Sequence, residues 1–145
     1  GNRFSPFNVK INGNYGEMVR YELNIGIGNI VRTGEELEKG IQKLEKIRKK
    51  LPNLHSKGDR RYNPGWHLCL DLHNMVITSL ALAKAALERN ESRGAHTRLD
   101  YPDYDEDLGK VNMIIRPSSD GLSVIKSPMS KMPDDLKDYV SQEAI

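Results

Sequence analysis

The chain has 145 residues, with 22 Lys and Arg against 20 Asp and Glu, so its net charge is +2. That balance argues against a nucleic-acid-binding domain, which usually carries a strongly basic surface. The single cysteine, Cys69, excludes an internal disulfide, and the lack of a signal-like apolar start predicts a soluble, cytoplasmic protein. We expect one domain with a modest core, because only 37% of the residues are hydrophobic.

Residues 1–14 show no hydrophobic period and are predicted to form an irregular lead-in. A weak stripe of Met18, Tyr21 and Ile25 then predicts a first helix over residues 15–27. The glycines at positions 26 and 28 loosen this pattern and place the end of the helix there.

A second helix is predicted from Thr33, because Thr33 and Glu36 form the T-x-x-E capping box in which each side chain accepts from the other residue's backbone N–H. Apolar residues then recur on one narrow face until Pro52 ends the pattern. They are Leu37, Ile41, Leu44, Ile47 and Leu51. The basic residues within 46–50 are expected to form the solvated end of this helix, where cations interact favourably with the helix dipole.

The third and longest helix is predicted over residues 64–89, with Asn63 as its N-cap and Pro64 in its first turn. Its apolar residues lie almost all the way round, so it should be buried on several sides. The remaining residues are too few to cover it, which indicates that the chain belongs to a larger body. Four polar residues interrupt the apolar run and argue against direct membrane insertion. They are His67, Asp71, His73 and Asn74.

After an acidic stretch, apolar runs at 111–116 and 122–126 flank the letters PSSDG. This pattern predicts a β-hairpin with Asp120 and Gly121 in its turn, and a short helix is predicted over residues 134–140. The predicted fold is mainly α. A three-helix, bundle-like module with a long central helix occupies residues 15–107, and a small C-terminal hairpin with a tail occupies residues 108–145.

The sequence contains parts of several catalytic and metal-binding patterns, but none of these patterns is complete. Ser92 and His96 lack the G-x-S-x-G turn of a hydrolase. The alternating acids of YPDYDED fail as a calcium loop, because Leu108 and Ile114 stand where glycine and glutamate are needed. No H-E-x-x-H motif or cysteine pair accompanies the histidines, and NIGIGNIV lacks the third glycine of a dinucleotide loop. The sequence thus predicts no catalytic, metal-binding or cofactor-binding residue.

Four charged or polar residues follow the longest helix: Glu91, Arg93, His96 and Arg98. Gly94, which lies between Arg93 and His96, is predicted to be the left-handed C-cap of that helix. Arginine and carboxylate side chains pair bidentately, and such pairs persist in a buried place only when their hydrogen bonds are satisfied. Beside an apolar helix, the combination predicts a polar clamp at a domain junction, and we call these four residues the docking clamp.

The stretch ESRGAHTRLDYP, residues 91–102, and the long helix before it resemble the C-terminal region of the succinate dehydrogenase and fumarate reductase flavoprotein family. The similarity runs from about Met18 to the tail, and residues 72–75 match a motif of the family's long helix. L-Aspartate oxidase is a close relative that shares the E-S-R-G-x-H element. Arg98 in GAHTRLDYP favours the dehydrogenase branch, whereas Tyr104 stands where the dehydrogenases commonly carry a basic residue.

The resemblance implies a helical C-terminal module that packs on a flavin domain and a capping domain, is fixed there by the docking clamp, and is inactive alone. The parent enzyme would bind FAD, interconvert succinate and fumarate, and pass electrons to an iron–sulfur subunit. It would lie at the inner face of the membrane through its partner subunits. Two alternatives stay open: the C-terminal domain of an L-aspartate oxidase, and a free-standing helical interaction module.

Overall fold

The computed structural model describes residues 30–56, 59–119 and 121–142. The predicted lead-in and the helix predicted over residues 15–27 lie outside this part of the chain. In chain order the elements are β1 (Val31–Arg32), α1 (Gly34–Arg48), α2 (Pro64–Glu88), β2 (Thr97–Arg98), β3 (Val111–Ser118), β4 (Gly121–Pro128) and α3 (Asp134–Gln142). The predicted class, mainly α with a long helix and a small antiparallel hairpin, is confirmed.

Helix α1 begins at the predicted capping box. The Thr33 hydroxyl accepts from the Glu36 backbone N–H at 3.3 Å, and the Glu36 carboxylate accepts from the Thr33 backbone N–H at 3.1 Å. The helix ends at Arg48, earlier than the apolar pattern suggested. Leu51 instead lies in a 3₁₀ turn, Leu51–Asn53, and still reaches the core with 5% of its surface exposed.

Helix α2 has the predicted N-cap, since Asn63 Oδ1 accepts from the Trp66 backbone N–H at 3.2 Å. One face of α2 packs against α1. The core of the described residues consists of Leu37, Leu44, Ile47, Leu51, Leu72, Val76, Leu80, Ala83 and Ala86. On the outer surface of α2, Leu70, Ile77 and Leu82 are each close to half exposed. As predicted, the described residues do not cover this helix on all sides.

Within the described ranges, α2 is the one helix long and apolar enough to cross a membrane, judged by length and composition alone. In this fold, both α1 and the hairpin pack against it. A core helix passes the same test of length and composition as a membrane span. This packing accounts for the apolar residues on the buried face of α2, while Leu70, Ile77 and Leu82 on its outer surface stay about half exposed.

The hairpin of β3 and β4 is confirmed, and its turn is tighter than predicted. Pairing extends to Ser118 opposite Gly121, so Gly121 begins β4 rather than lying in the turn, and Asp120 is outside the described residues. Gly121 has a φ of 125°, and a Cβ there would lie 3.1 Å from Nη1 of Arg48. The backbone angle favours glycine, whereas the Arg48 guanidinium could move aside for a Cβ. Lys84 Nζ donates to the Leu122 carbonyl at 2.9 Å and fastens the hairpin to α2.

Two short elements complete the described structure. Strand β1 pairs in parallel with β2, with Val31 opposite Thr97, and so joins the residues before α1 to those after α2. Helix α3, Asp134–Gln142, confirms the short helix predicted near the end and extends two residues beyond it.

The unequal burial of the two faces of α2 generates a stability prediction. Leu80 is 1% exposed and Leu70 is 48% exposed. Because a buried leucine leaves a cavity when it is truncated, we expect Leu80→Ala to lower the free energy of unfolding by about 2–5 kcal/mol. Leu70→Ala, on the same helix, should cost less than about 1 kcal/mol. Urea unfolding of both variants measures this, and equal losses would contradict the packing described here.

Candidate functional site

The structure brings the four residues of the docking clamp together just after α2, and it divides them by burial. Glu91 is 0% exposed and Arg98 is 1% exposed, although both carry charged groups. His96 is half-buried, and the Arg93 side chain is 42% exposed. The clamp therefore has a buried half and an outer half.

The clamp segment folds back through a tight turn rather than capping α2 with a left-handed residue. Helix α2 ends at Glu88, and its C-cap Arg89 is extended with a φ of −87°. The prediction of Gly94 as the C-cap is therefore wrong. Gly94 has a φ of 57° and opens a two-residue turn that backbone hydrogen bonds of 2.8 and 2.9 Å close between Arg93 and His96. This turn needs a positive φ at its first central residue, where glycine is favoured.

Glu91 is the buried anion around which the loop is organised. Its carboxylate accepts from Arg89 Nη1, from Arg93 Nε at 3.1 and 3.2 Å, and from the Asp105 backbone N–H at 3.0 Å. Burial by itself raises the pKa of Glu91, but the hydrogen bonds from Arg93, the Asp105 backbone and Arg89 outweigh it and lower that pKa to about 2. Glu91 therefore stays ionised near neutral pH.

Sequence reasoning missed Arg89, which was assigned to the end of the helix. Its Nη1 donates to the Leu108 carbonyl and its Nη2 to the Val111 carbonyl, each at 3.0 Å. The guanidinium thus joins Glu91 to the first residue of the hairpin. Its position two residues before the buried acid was the available signal.

Arg98 caps the C-terminal end of α2 from the side. Its Nη1 donates to the carbonyls of Ala86, Leu87 and Arg89 at 3.0, 3.2 and 3.4 Å. Carbonyls in the last turn of a helix lack partners within the helix, and a cation is favoured beside them. The remaining nitrogens Nε and Nη2 donate to Asp100 at 2.8 and 2.7 Å.

Asp100, which was also not predicted to be a clamp residue, connects Arg98 to helix α1. Its Oδ2 accepts from the Gly34 backbone N–H at 3.0 Å, at the start of α1. The Arg98 guanidinium, with a smaller contribution from the Gly34 N–H, holds the pKa of Asp100 well below its usual range. One ion pair therefore links the C-terminal end of α2 to the N-terminal end of α1.

Ser92 and His96 complete the loop through hydrogen bonds to backbone. Ser92 Oγ accepts from the Arg98 N–H and donates to the Tyr101 carbonyl, both at 2.8 Å. His96 Nε2 donates to the Arg89 carbonyl at 3.1 Å. Burial lowers the pKa of His96, and the neighbouring arginines lower it further, against the opposing effect of that hydrogen bond. The ring is therefore neutral near pH 7 and positions backbone rather than activating Ser92.

The outer rim of the junction is aromatic and apolar. Leu99 is 65% exposed, and Tyr101 and Tyr104 are 43% and 71% exposed. The Arg98 and Arg93 guanidinium carbons lie 5.0 and 5.1 Å from the centres of the Tyr101 and Tyr104 rings, respectively. An apolar rim over a rigid, fully hydrogen-bonded base is suited to contact with another protein surface.

The fold and this junction define a helical module that leaves apolar surface exposed at its rim and along α2. The sequence profile described as the fumarate reductase flavoprotein C-terminal domain matches residues 27–134. The chain belongs to this family, which confirms the resemblance carried by the ESRGAHTRLDYP stretch.

Sequences similar to this chain occur in several longer proteins. The L-aspartate oxidase of Acinetobacter baylyi is 31% identical over 82 residues, which are 57% of this chain and 14% of that protein. The fumarate reductase flavoprotein subunit of Mycobacterium tuberculosis is 30% identical over 96 residues, 63% of this chain and 16% of that protein. The chain thus spans about one sixth of these relatives or less.

Solved structures show the same fold. The Mycobacterium smegmatis Sdh1 structure in complex with UQ1 matches with a TM-score of 0.81 at 29% identity, over 97% of this chain and 24% of that chain. A quinol fumarate reductase chain of E. coli matches with a TM-score of 0.68 at 23% identity, over 88% of this chain and 23% of its own length, which shows likeness of fold.

The depressed pKa of Glu91 generates a pH prediction. A carboxyl group whose pKa falls from its ordinary 4.5 to about 2 stabilises the fold above pH 4.5, and this stabilisation is lost as the pH falls towards 2. Replacing one member of a buried ion pair is strongly destabilising, so Glu91→Gln should lower the free energy of unfolding at neutral pH by about 3–5 kcal/mol. The difference from the wild type should shrink as the pH falls through that window.

Urea unfolding between neutral and acidic pH measures this difference, with the exposed Glu106→Gln as the matched control. The control should show a loss near zero at every pH. A Glu91→Gln difference that stayed constant down to acidic pH would show that lost packing, and not the buried charge, causes the effect.

Proposed function

We propose that this chain is the C-terminal module of an FAD-dependent enzyme that interconverts succinate and fumarate. In this proposal the module packs on the flavin and capping domains and has no catalytic group of its own. The parent enzyme passes electrons to an iron–sulfur subunit and lies at the cytoplasmic face of the membrane through its partners. Family membership supports the proposal, and so do relatives named as fumarate reductase and succinate dehydrogenase flavoprotein subunits.

The observation that carries the docking role is the contrast between the base and the rim of the junction. Glu91 and Arg98 are buried and occupied by contacts within the chain. We therefore assign them to holding the loop in one conformation. Arg93 and His96 lie further out, and the neutral His96 ring has a second nitrogen that can accept a hydrogen bond. These two residues, with the rings of Tyr101 and Tyr104, form the proposed contact with the parent domains.

The described residues of the junction do not fit a flavin site. Within the part of the chain that the structure describes, no buried side-chain nitrogen or oxygen lacks a hydrogen-bond partner. No orphaned polar group is therefore left for the isoalloxazine ring or the pyrophosphate of FAD to satisfy. In this proposal FAD belongs to the parent domains, and no catalytic step runs through this chain.

The L-aspartate oxidase alternative is supported by a relative of that name with 31% identity. The two enzymes act on different substrates, succinate and L-aspartate, and both would carry FAD. Activity of the full-length protein separates them. We expect the purified flavoprotein to oxidise succinate with an artificial electron acceptor and to leave L-aspartate unchanged. Oxidation of L-aspartate with no turnover of succinate would replace the first proposal by the second.

The docking role of the clamp is tested on its outer half, because Arg93 can be truncated without leaving α2 uncapped. In the full-length protein, we expect Arg93→Ala to lower turnover and bound flavin at least several-fold. Because Arg93 also hydrogen-bonds the buried Glu91, which keeps Arg89 and the Asp105 N–H as partners, its loss should cost the isolated module about 1–3 kcal/mol, and any larger loss in the full-length protein would report docking. Arg116→Ala, on the exposed side of the hairpin, is the control.

Flavin absorbance, steady-state turnover and thermal unfolding are measured on the same preparations. If Arg93→Ala left flavin content, turnover and stability at wild-type values, the docking clamp would have no such role. If the variant lost stability in the isolated module to the same extent as in the full-length protein, the clamp would act only within the module.

A further inference from the structure

The basic charge of this chain is concentrated at the end of the module opposite the docking clamp. Residues 46–67 contain seven Lys and Arg and one acid, in a chain whose net charge is only +2. Helices α1 and α2 run in opposite directions, so the last turn of α1 and the first turn of α2 lie at the same end. Lys46, Lys49, Arg60 and Arg61 are exposed there. We call this region the basic end.

Tyr62 stands in the middle of the basic end in a conformation that neither packing nor backbone preference explains. It is the one non-glycine residue with positive φ in the described ranges, at 57°, and 94% of its surface is exposed. Glycine or asparagine would occupy this backbone region with less strain. An exposed ring gains nothing from the core, so its presence at a strained position suggests a role in binding.

The loop before α2 is built in a way that keeps Tyr62 pointing outward. Asn63 Nδ2 donates to the Asp59 carbonyl at 2.9 Å, and Asn63 Oδ1 accepts from the Ser56 hydroxyl at 3.2 Å and from the first turn of α2. The Arg60 guanidinium carbon lies 5.9 Å from the centre of the Trp66 ring. These hydrogen bonds hold the backbone on both sides of Tyr62, from Asp59 to the first turn of α2, and the ring is exposed on that held segment.

An open groove of about 500 Å³ lies beside the ring, lined by Tyr62, Pro64, His67, Leu68 and Asp71. The apolar members of this lining suit a side chain of another protein. The Asp71 carboxylate would repel any anionic group that entered the groove, so the carboxylates of an occupant would lie outside it, beside Arg60 and Arg61. A polypeptide can place an apolar side chain in the groove and acidic side chains around it, whereas the surface of a nucleic acid or an anionic lipid is lined with phosphate.

We propose that the basic end is a docking surface for an acidic surface of a partner polypeptide. The Tyr62 ring is the central contact, and Arg60 and Arg61 pair with carboxylates around it. Tyrosine and arginine are the residue types that most often dominate the energy of protein interfaces, and complementary charge speeds and orients association. This inference goes beyond the proposed function, since it concerns the opposite end of the module and does not depend on the reaction that the parent enzyme performs.

Photo-crosslinking in the full-length protein, expressed in its native source, tests the proposal directly. A benzophenone amino acid replaces Tyr62 in one sample and Tyr139, which is 71% exposed on α3, in the control sample. We expect the probe at position 62 to give an adduct with an acid-rich segment of another polypeptide. In about 1 M salt, where the Debye length falls to about 3 Å, the adduct should be lost.

Adducts with nucleic acid or lipid at position 62, the same adducts at both positions, or none at position 62 would overturn the proposal. None of these crosslinking outcomes bears on whether the parent enzyme acts on succinate. Turnover and flavin content of the same preparations report on the proposed function separately.

A second variant guards against loss of folding. Tyr62→Gly removes the ring and relieves the left-handed strain, so the fold should be kept. We expect retention of the crosslinked partner during size exclusion to fall about tenfold, with thermal unfolding, flavin content and turnover at wild-type values. Tyr139→Ala should retain the partner fully. Unchanged retention in Tyr62→Gly would show that the ring makes no contact that matters.

Discussion

The ion pair of Arg98 with Asp100 is the interaction on which the rest of this structure depends. Arg98 is 1% exposed, and its guanidinium donates to three carbonyls at the end of α2 and to both carboxylate oxygens of Asp100. Asp100 in turn accepts from the first N–H of α1. A cation at one helix end and an anion at the other match both helix dipoles, and a single pair fixes the relative position of the two helices that form the core.

Glu91 extends the same principle to the loop and the hairpin. An ionised carboxylate without surface exposure is tolerated only with dense hydrogen bonding, which Arg89, Arg93 and the Asp105 N–H provide. Because Arg89 also binds the carbonyls at the start of the hairpin, the buried acid determines where β3 begins. The buried charges thus select one loop conformation, and the exposed aromatic rim is held on that rigid base.

The two ends of the module differ in chemistry as a consequence of helix direction. The acids that follow α2 and the anion at the start of α1 gather at one end, while the cations after α1 and before α2 gather at the other. Between the two ends, the outer surface of α2 remains apolar and partly exposed. A module with three such surfaces is organised for contact on several sides, as expected of a domain that accounts for about one sixth or less of its curated relatives' length.

The sequence by itself determined the local elements, because their signals are local: the capping box at Thr33, the N-cap at Asn63, the apolar period of α1 and the alternation of the hairpin. It also identified the clamp residues by type. Only the tertiary structure decided that Arg98 reaches carbonyls 12 residues earlier, that Asp100 binds Gly34, 66 residues away, and that Gly94 serves a turn rather than a cap. These partners lie far apart in the sequence and are brought together by the packing of the helices. The spacing of residues within one segment therefore does not predict them.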